Sequence, residues 1–180
     1  MAMPCESPEN FNVLQRLQIS LNNGNFPSIN LKPLQVKCLE YMLKGRDVIG
    51  VLPTGYGKSL LFHLLPHFLP VKANNNIVIV VCPLNSIIED QLKVLKSRRI
   101  NAGVLQLEND CDTTEKLFGP AIANDGLSIP VDLLNGRWSI IFAHPEALLS
   151  KKGRELMASK VFQDNVAACV IDEAHCVELW

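Results

Sequence analysis

The stretch Gly50-Val51-Leu52-Pro53-Thr54-Gly55-Tyr56-Gly57-Lys58-Ser59 constrains the chain most. An apolar run, Val48–Leu52, leads into it and a leucine-rich run, Leu60–Leu65, leaves it. That order predicts strand, glycine-rich turn and helix. Gly55 and Gly57 let the backbone curl so that successive N–H groups face inward, a shape that grips phosphate oxygens. A helix starting near Lys58 aims its positive dipole end at the same point. Lys58 adds a point charge for the β- and γ-phosphates, and the Ser59 hydroxyl can ligate Mg²⁺. The strict phosphate-loop pattern wants a glycine five positions before Gly57, where Leu52 stands. An ordinary glycine-rich turn therefore stays open until an acidic partner is found.

The partner lies near the end. Val166-Ala167-Ala168-Cys169-Val170-Ile171 reads as a buried strand, and Asp172-Glu173-Ala174-His175 follows it. A carboxylate at a strand end can hold Mg²⁺ through water, and the next acid can orient or deprotonate an attacking water. An acid-rich helix start would show the same residues. The pairing with Gly55–Ser59 is what favours a site for ATP or GTP.

Elsewhere, Ile77–Val81 is an unbroken β-branched run, as expected of a strand covered on both faces. Further strands are expected at 102–107 and 138–142. Helices are expected at 10–21, from Pro33 to about Lys44, from the loop to Pro66, from Pro83 to about Lys96, at 146–150 and at 154–162. Residues 1–9 read as a tail, and 108–135 as an insertion of scattered Asn, Asp and Gly. The alternation predicts an α/β domain, a mostly parallel sheet flanked by helices, with ligands at the C-terminal strand ends.

Composition narrows the class. A chain of 180 residues with net charge −1 shows no global basic bias, which argues against nucleic-acid binding by bulk charge alone. The six cysteines include no C-x-x-C pair, so they read as reduced thiols rather than a zinc site. His63 and His67 are four apart with Pro66 between them, and read as ordinary helix-end residues. The N-terminus lacks the features of a secretory signal, and no apolar run reaches the roughly 18 residues needed to span a bilayer. A cytosolic or nuclear protein without membrane contact is expected.

These motifs resemble those of RecQ-like ATP-dependent DNA helicases. Pro53-Thr54-Gly55-Tyr56-Gly57-Lys58-Ser59 is similar to motif I and Asp172-Glu173-Ala174-His175-Cys176 to motif II. Leu52 is then unexceptional, and Cys176 separates the pattern from that of DEAH-box RNA helicases. The resemblance implies a RecA-like fold, ATP and Mg²⁺ as cofactors, and single-stranded or duplex DNA as partner. It implies catalytic roles for Lys58, Asp172, Glu173 and His175, with Ser59 and Asp172 at the metal. The segment 26–35 is similar to the adenine-reading motif 0, which puts Gln35 on the adenine edge and Lys32 beside it. Pro53, Thr54, Gly55, Tyr56 and Gly57 complete the expected nucleotide cradle. Cys82–Gln91 resembles motif Ia and Phe142–Glu146 motif Ib. They offer Pro83, Leu84, Ser86, Gln91, His144, Pro145, Glu146 and the terminal Trp180 as expected DNA contacts.

Departures carry expectations too. Ser28 stands where the family often has an aromatic that stacks on adenine, and Leu31-Lys32 replaces Phe-Arg. Lys keeps the charge but loses the planar surface, so adenine binding should be weaker. The family's motif III, second RecA-like domain and arginine finger have no counterpart before Trp180. Residues 1–25 (tail and helix) and 26–180 (a motor domain incomplete at its C-terminus) are therefore expected to be poorly stable and slow at hydrolysis. The leading expectation is a 3′-to-5′ DNA helicase motor. The alternatives are a non-catalytic nucleotide-binding fragment and an RNA helicase-like ATPase.

Overall fold

The computed structural model describes residues 8–26, 29–71, 76–105 and 138–179. The chain divides into two compact units, Met1–Pro70 and Val71–Trp180.

Among the described residues, the first unit holds three helices: α1 (Pro8–Asn23), α2 (Pro33–Leu43) and α3 (Lys58–Phe68). Proline opens α2 at a position whose N–H needs no helical partner. Leu39, Leu64 and Phe68 are fully buried, and the Phe26 ring stacks on His63. The Ser20 hydroxyl donates to the His67 carbonyl at 3.1 Å, tying α1 to α3.

Three expectations change in this unit. Residues 46–53 form no strand; the sheet ladders involve none of them. A strand needs a neighbour for its N–H and C=O groups, and here the alternating Ile49 and Val51 are 93% and 89% exposed. Pro66 does not end its helix, which continues to Phe68. Proline's fixed φ is itself helical, and the buried side chains Leu64, Leu65 and Phe68 hold the last turn in place. His63 is not at a helix end: it is buried in the middle of α3, with Phe62 edge-on at 4.9 Å.

The second unit is built on a four-stranded parallel sheet of order β2-β3-β1-β4. The strands are β1 (Ile77–Val81), β2 (Ala102–Leu105), β3 (Ile140–Ala143) and β4 (Val166–Ile171). The parallel α/β architecture is the one expected from the chain's alternation of apolar runs. The two central strands are buried at every position, as the unbroken Ile77–Val81 run requires. Register places Val80 beside Phe142 and Val81 beside Ile171.

Side chains alternate across the sheet. One face, carrying Ile77, Ile79, Val81, Ile141 and Ala143, packs with Leu148, Leu156 and Phe162. Those three come from α5 (Pro145–Leu149), α6 (Lys151–Ala158) and α7 (Lys160–Asn165). The single helix expected at 154–162 is thus two, broken where Ser159 leaves helical geometry and caps α7 by accepting the Phe162 N–H. Helix α4 (Asn85–Ser97) buries Ile88, Leu92 and Leu95, an i, i+4, i+7 stripe. Of the tail expected at 1–9, Pro8 and Glu9 instead open α1; residues 1–7, the insertion at 108–135 and the end of the 102–107 strand lie outside the described residues. Among the described residues, no helix is long and apolar enough to cross a membrane.

Candidate functional site: a phosphate cradle and an acidic strand end

Each unit carries one half of the expected site, and each half is described by itself. In the first unit, the glycine loop turns at Pro53, whose carbonyl accepts the Tyr56 N–H at 3.1 Å. Gly55 (φ +74°) and Gly57 (φ +89°) are both left-handed. A Cβ on Gly55 would meet nothing within 4 Å, so only its backbone angle demands glycine there. Gly57 is constrained twice, because a Cβ would stand 2.8 Å from the Gln35 Nε2. Gly57 is also the N-cap of α3, and its carbonyl accepts the Leu60 N–H at 3.2 Å. Lys58 and Ser59 therefore occupy the first turn, where the helix's positive end lies. Pro53, Thr54, Gly55 and Gly57 are exposed, and Tyr56, Lys58 and Ser59 half-buried.

The start of α2 braces this loop. Gln35, the third residue of α2, is 2% exposed. Its Oε1 accepts the Lys32 N–H at 2.8 Å, and its Nε2 donates to the Tyr56 and Gly57 carbonyls at 3.1 and 2.9 Å. The Lys32 Nζ lies 4.4 Å above the Tyr56 ring and donates to the Gly55 carbonyl at 3.5 Å. The lysine lacks a planar surface of its own, yet its charge is held against an aromatic face. Sequence reasoning brought Lys32 and Gln35 to this loop through a resemblance; it did not foresee that the loop itself would take up their polar atoms. Ser28 lies outside the described residues.

In the second unit, Asp172 follows β4 directly. Its N–H donates to the Val81 carbonyl at 2.9 Å, carrying the β1–β4 ladder one step past the strand. The carboxylate is thereby fixed at the sheet's C-terminal edge and half-buried. Glu173 adopts φ +52°, unusual for a residue with a Cβ. Its N–H donates to the Asp172 Oδ1 at 3.1 Å, and its Oε2 lies 3.2 Å from the His175 Nδ1. Strain of that kind, of order 1–3 kcal/mol, persists where surrounding structure imposes it and is concentrated at working sites. A short 3₁₀ helix, Ala174–Leu179, follows, with the Cys176 N–H on the Glu173 carbonyl at 2.8 Å.

Cys82, missed by sequence reasoning as a site neighbour, follows β1 beside these acids. Burial pushes its thiol up, a backbone hydrogen bond at Leu84 opposes this, and the charges of Asp172 and Glu173 add to the rise. The signal was available: in a parallel sheet, the residues that follow adjacent strands share one edge.

That edge also carries the two loops expected to meet nucleic acid. Pro83 and Leu84 leave β1, and His144 and Pro145 leave β3, its neighbour. The His144 Nε2 and Asn85 Oδ1 stand 2.6 Å apart and join the two loops. Asn85 was not among the expected contacts. Leu84, Ser86 and Glu146 are exposed, whereas Pro83, Gln91 and His144 are half-buried. Pro145 is fully buried, so its place is in packing rather than on the open surface. Trp180 lies outside the described residues.

Comparison with known proteins gives the family. Residues 32–180 match the family described as DEAD/DEAH box helicase. The chain is 28% identical over 150 residues to the ATP-dependent helicase SGS1 of Saccharomyces cerevisiae, covering 83% of this chain and 10% of that protein. It is 33% identical over 153 residues to the RecQ-like DNA helicase blm-1 of Caenorhabditis elegans, covering 81% and 13%. It is 31% identical over 155 residues to the probable ATP-dependent DNA helicase RecS of Bacillus subtilis, covering 86% and 27%. The chain thus spans between about a tenth and about a quarter of the curated relatives it matches.

Proposed function

The chain belongs to the DEAD/DEAH box helicase family, and from that premise we propose that it is the ATP-binding motor portion of a RecQ-type DNA helicase. The observation that carries this reading is the glycine loop at the N-terminus of α3, in a chain whose β4 is followed directly by Asp172-Glu173. Phosphate binding falls to the loop N–H groups and Lys58. Ser59 and Asp172 would each offer Mg²⁺ a hard oxygen donor of the kind it prefers, one a hydroxyl and the other a carboxylate. Bound Mg²⁺ would neutralise charge on the β- and γ-phosphates. Glu173 orients and deprotonates the attacking water. His175, 3.2 Å from that carboxylate, holds its direction.

The exposed loop residues Leu84, Ser86 and Glu146, with His144 pinned by Asn85, form the surface we assign to a DNA strand. His144 and Asn85 give that surface a fixed spacing, which suits tracking a regular backbone. Translocation runs 3′ to 5′, and turnover at full rate draws on a second RecA-like domain with an arginine finger, worth about 10³–10⁵ in comparable phosphoryl-transfer enzymes. The protein works where the genome is, in a nucleus or in bacterial cytoplasm.

The discriminating experiment compares ATPase stimulation by single-stranded DNA and by RNA of the same sequence. Stimulation by DNA of at least about tenfold over RNA is expected for a reader of DNA backbone. Equal or greater stimulation by RNA would move the assignment to the RNA helicases.

A further inference from the structure

We infer that Gln35 is a positioning residue for phosphate binding, one that aims the gripping amides of the glycine loop whether or not a base is present. This rests on the nucleotide-binding reading above and adds a role to a side chain expected only to read adenine.

A carboxamide has two N–H donors and one carbonyl acceptor. At Gln35 both donations go to the loop, to the carbonyls of Tyr56 and Gly57 in succession. The acceptor takes the Lys32 N–H. The side chain is almost fully buried, so these bonds are shielded from water. The next carbonyl back, that of Gly55, faces Lys32. Three consecutive loop carbonyls are thus drawn toward the start of α2.

The consequence follows from peptide geometry. In a trans peptide the C=O and the N–H point in opposite directions, and the described chain has no cis peptide. Drawing the Tyr56 carbonyl toward Gln35 turns the Gly57 N–H away from it. Drawing the Gly57 carbonyl the same way turns the Lys58 N–H away as well. The two N–H groups then point together to the side opposite Gln35, as an anion nest requires. Because the Gly57 carbonyl also accepts the Leu60 N–H, the pair is locked in line with α3 and its dipole. Without the brace, two left-handed glycines would leave this loop free to sample many shapes, and phosphate binding would have to order it.

The test uses tripolyphosphate, which has the phosphates of ATP and no base. Dissociation constants for tripolyphosphate, ATP and GTP are measured on the chain and on its Gln35→Glu and Gln35→Ala variants, with circular dichroism reporting the fold. Glutamate keeps the acceptor for Lys32 and removes both donors. Losing two hydrogen bonds should weaken tripolyphosphate roughly 30-fold and ATP by at least that factor. Unchanged tripolyphosphate affinity, with ATP falling to the level of GTP, would make Gln35 a base reader alone and overturn the inference. An unaltered chain that binds none of the three ligands would instead overturn the nucleotide-binding reading itself. If both variants lose their fold, NMR of the unaltered chain decides. The Gln35 side-chain amide protons should stay protected from solvent exchange with ATP bound, and their release would refute the brace.

Discussion

Replacing Glu173 with Gln is expected to slow ATP turnover by about two to four orders of magnitude, the range for losing a general base, while ATP affinity changes little. Gln has the shape of Glu and can still orient a water, but it cannot take a proton at neutral pH. The backbone position should survive, because it is set by the Asp172 carboxylate on the Glu173 N–H and by the Cys176 N–H on the Glu173 carbonyl. The contact with the His175 Nδ1 survives as a neutral hydrogen bond. Steady-state hydrolysis with saturating single-stranded DNA, beside the dissociation constant for ATP, separates chemistry from binding. Turnover equal to that of the unaltered protein would mean the proton leaves by another route.

Replacing Gly57 with Ala should act on binding instead. A side chain at φ +89° costs about 1–2 kcal/mol in the left-handed region. The new Cβ would also stand 2.8 Å from the Gln35 Nε2 and displace it. Giving up those two carboxamide bonds adds about 1 kcal/mol each. The combined loss of about 3–4 kcal/mol corresponds to roughly 150- to 1,000-fold in ATP affinity. Gly55→Ala carries the backbone cost but meets nothing within 4 Å, so it should weaken ATP less. Calorimetric titration of both variants checks the order. Equal losses would show that φ alone matters and that the Gln35 contact is incidental.

The elements most legible in the sequence were those whose chemistry is local. The Gly55–Ser59 turn needs two residues at positive φ, and only glycine adopts that cheaply. Ile77–Val81 announced a central strand because nothing in it could face water. Elements decided by distant partners were harder to read. Val48–Leu52 has strand composition, but composition supplies no neighbour, and Ile49 and Val51 stand in solvent. Pro66 looked like a stop because the packing that sustains α3 to Phe68 comes from residues far off in the chain. At the candidate site, the motifs are what single out Lys58, Asp172 and Glu173. The side-chain bond between Asn85 and His144 depends on two strands being neighbours, which no local pattern encodes. The burial of Pro145 likewise follows from packing, where sequence offered only a loop residue.

The proposal that Ser59 and Asp172 both serve Mg²⁺·ATP is the one to test first. A double-mutant cycle tests it directly: ATP affinity, with and without Mg²⁺, for Ser59→Ala, Asp172→Asn and the pair. A shared ion predicts that each single change removes most of the Mg²⁺-dependent gain and that the double change removes little more. The coupling would then be about 1–3 kcal/mol, within the range for interacting residues, and would vanish without Mg²⁺. Additive losses in the presence of Mg²⁺ would show that the two residues serve different ends, and would contradict the account.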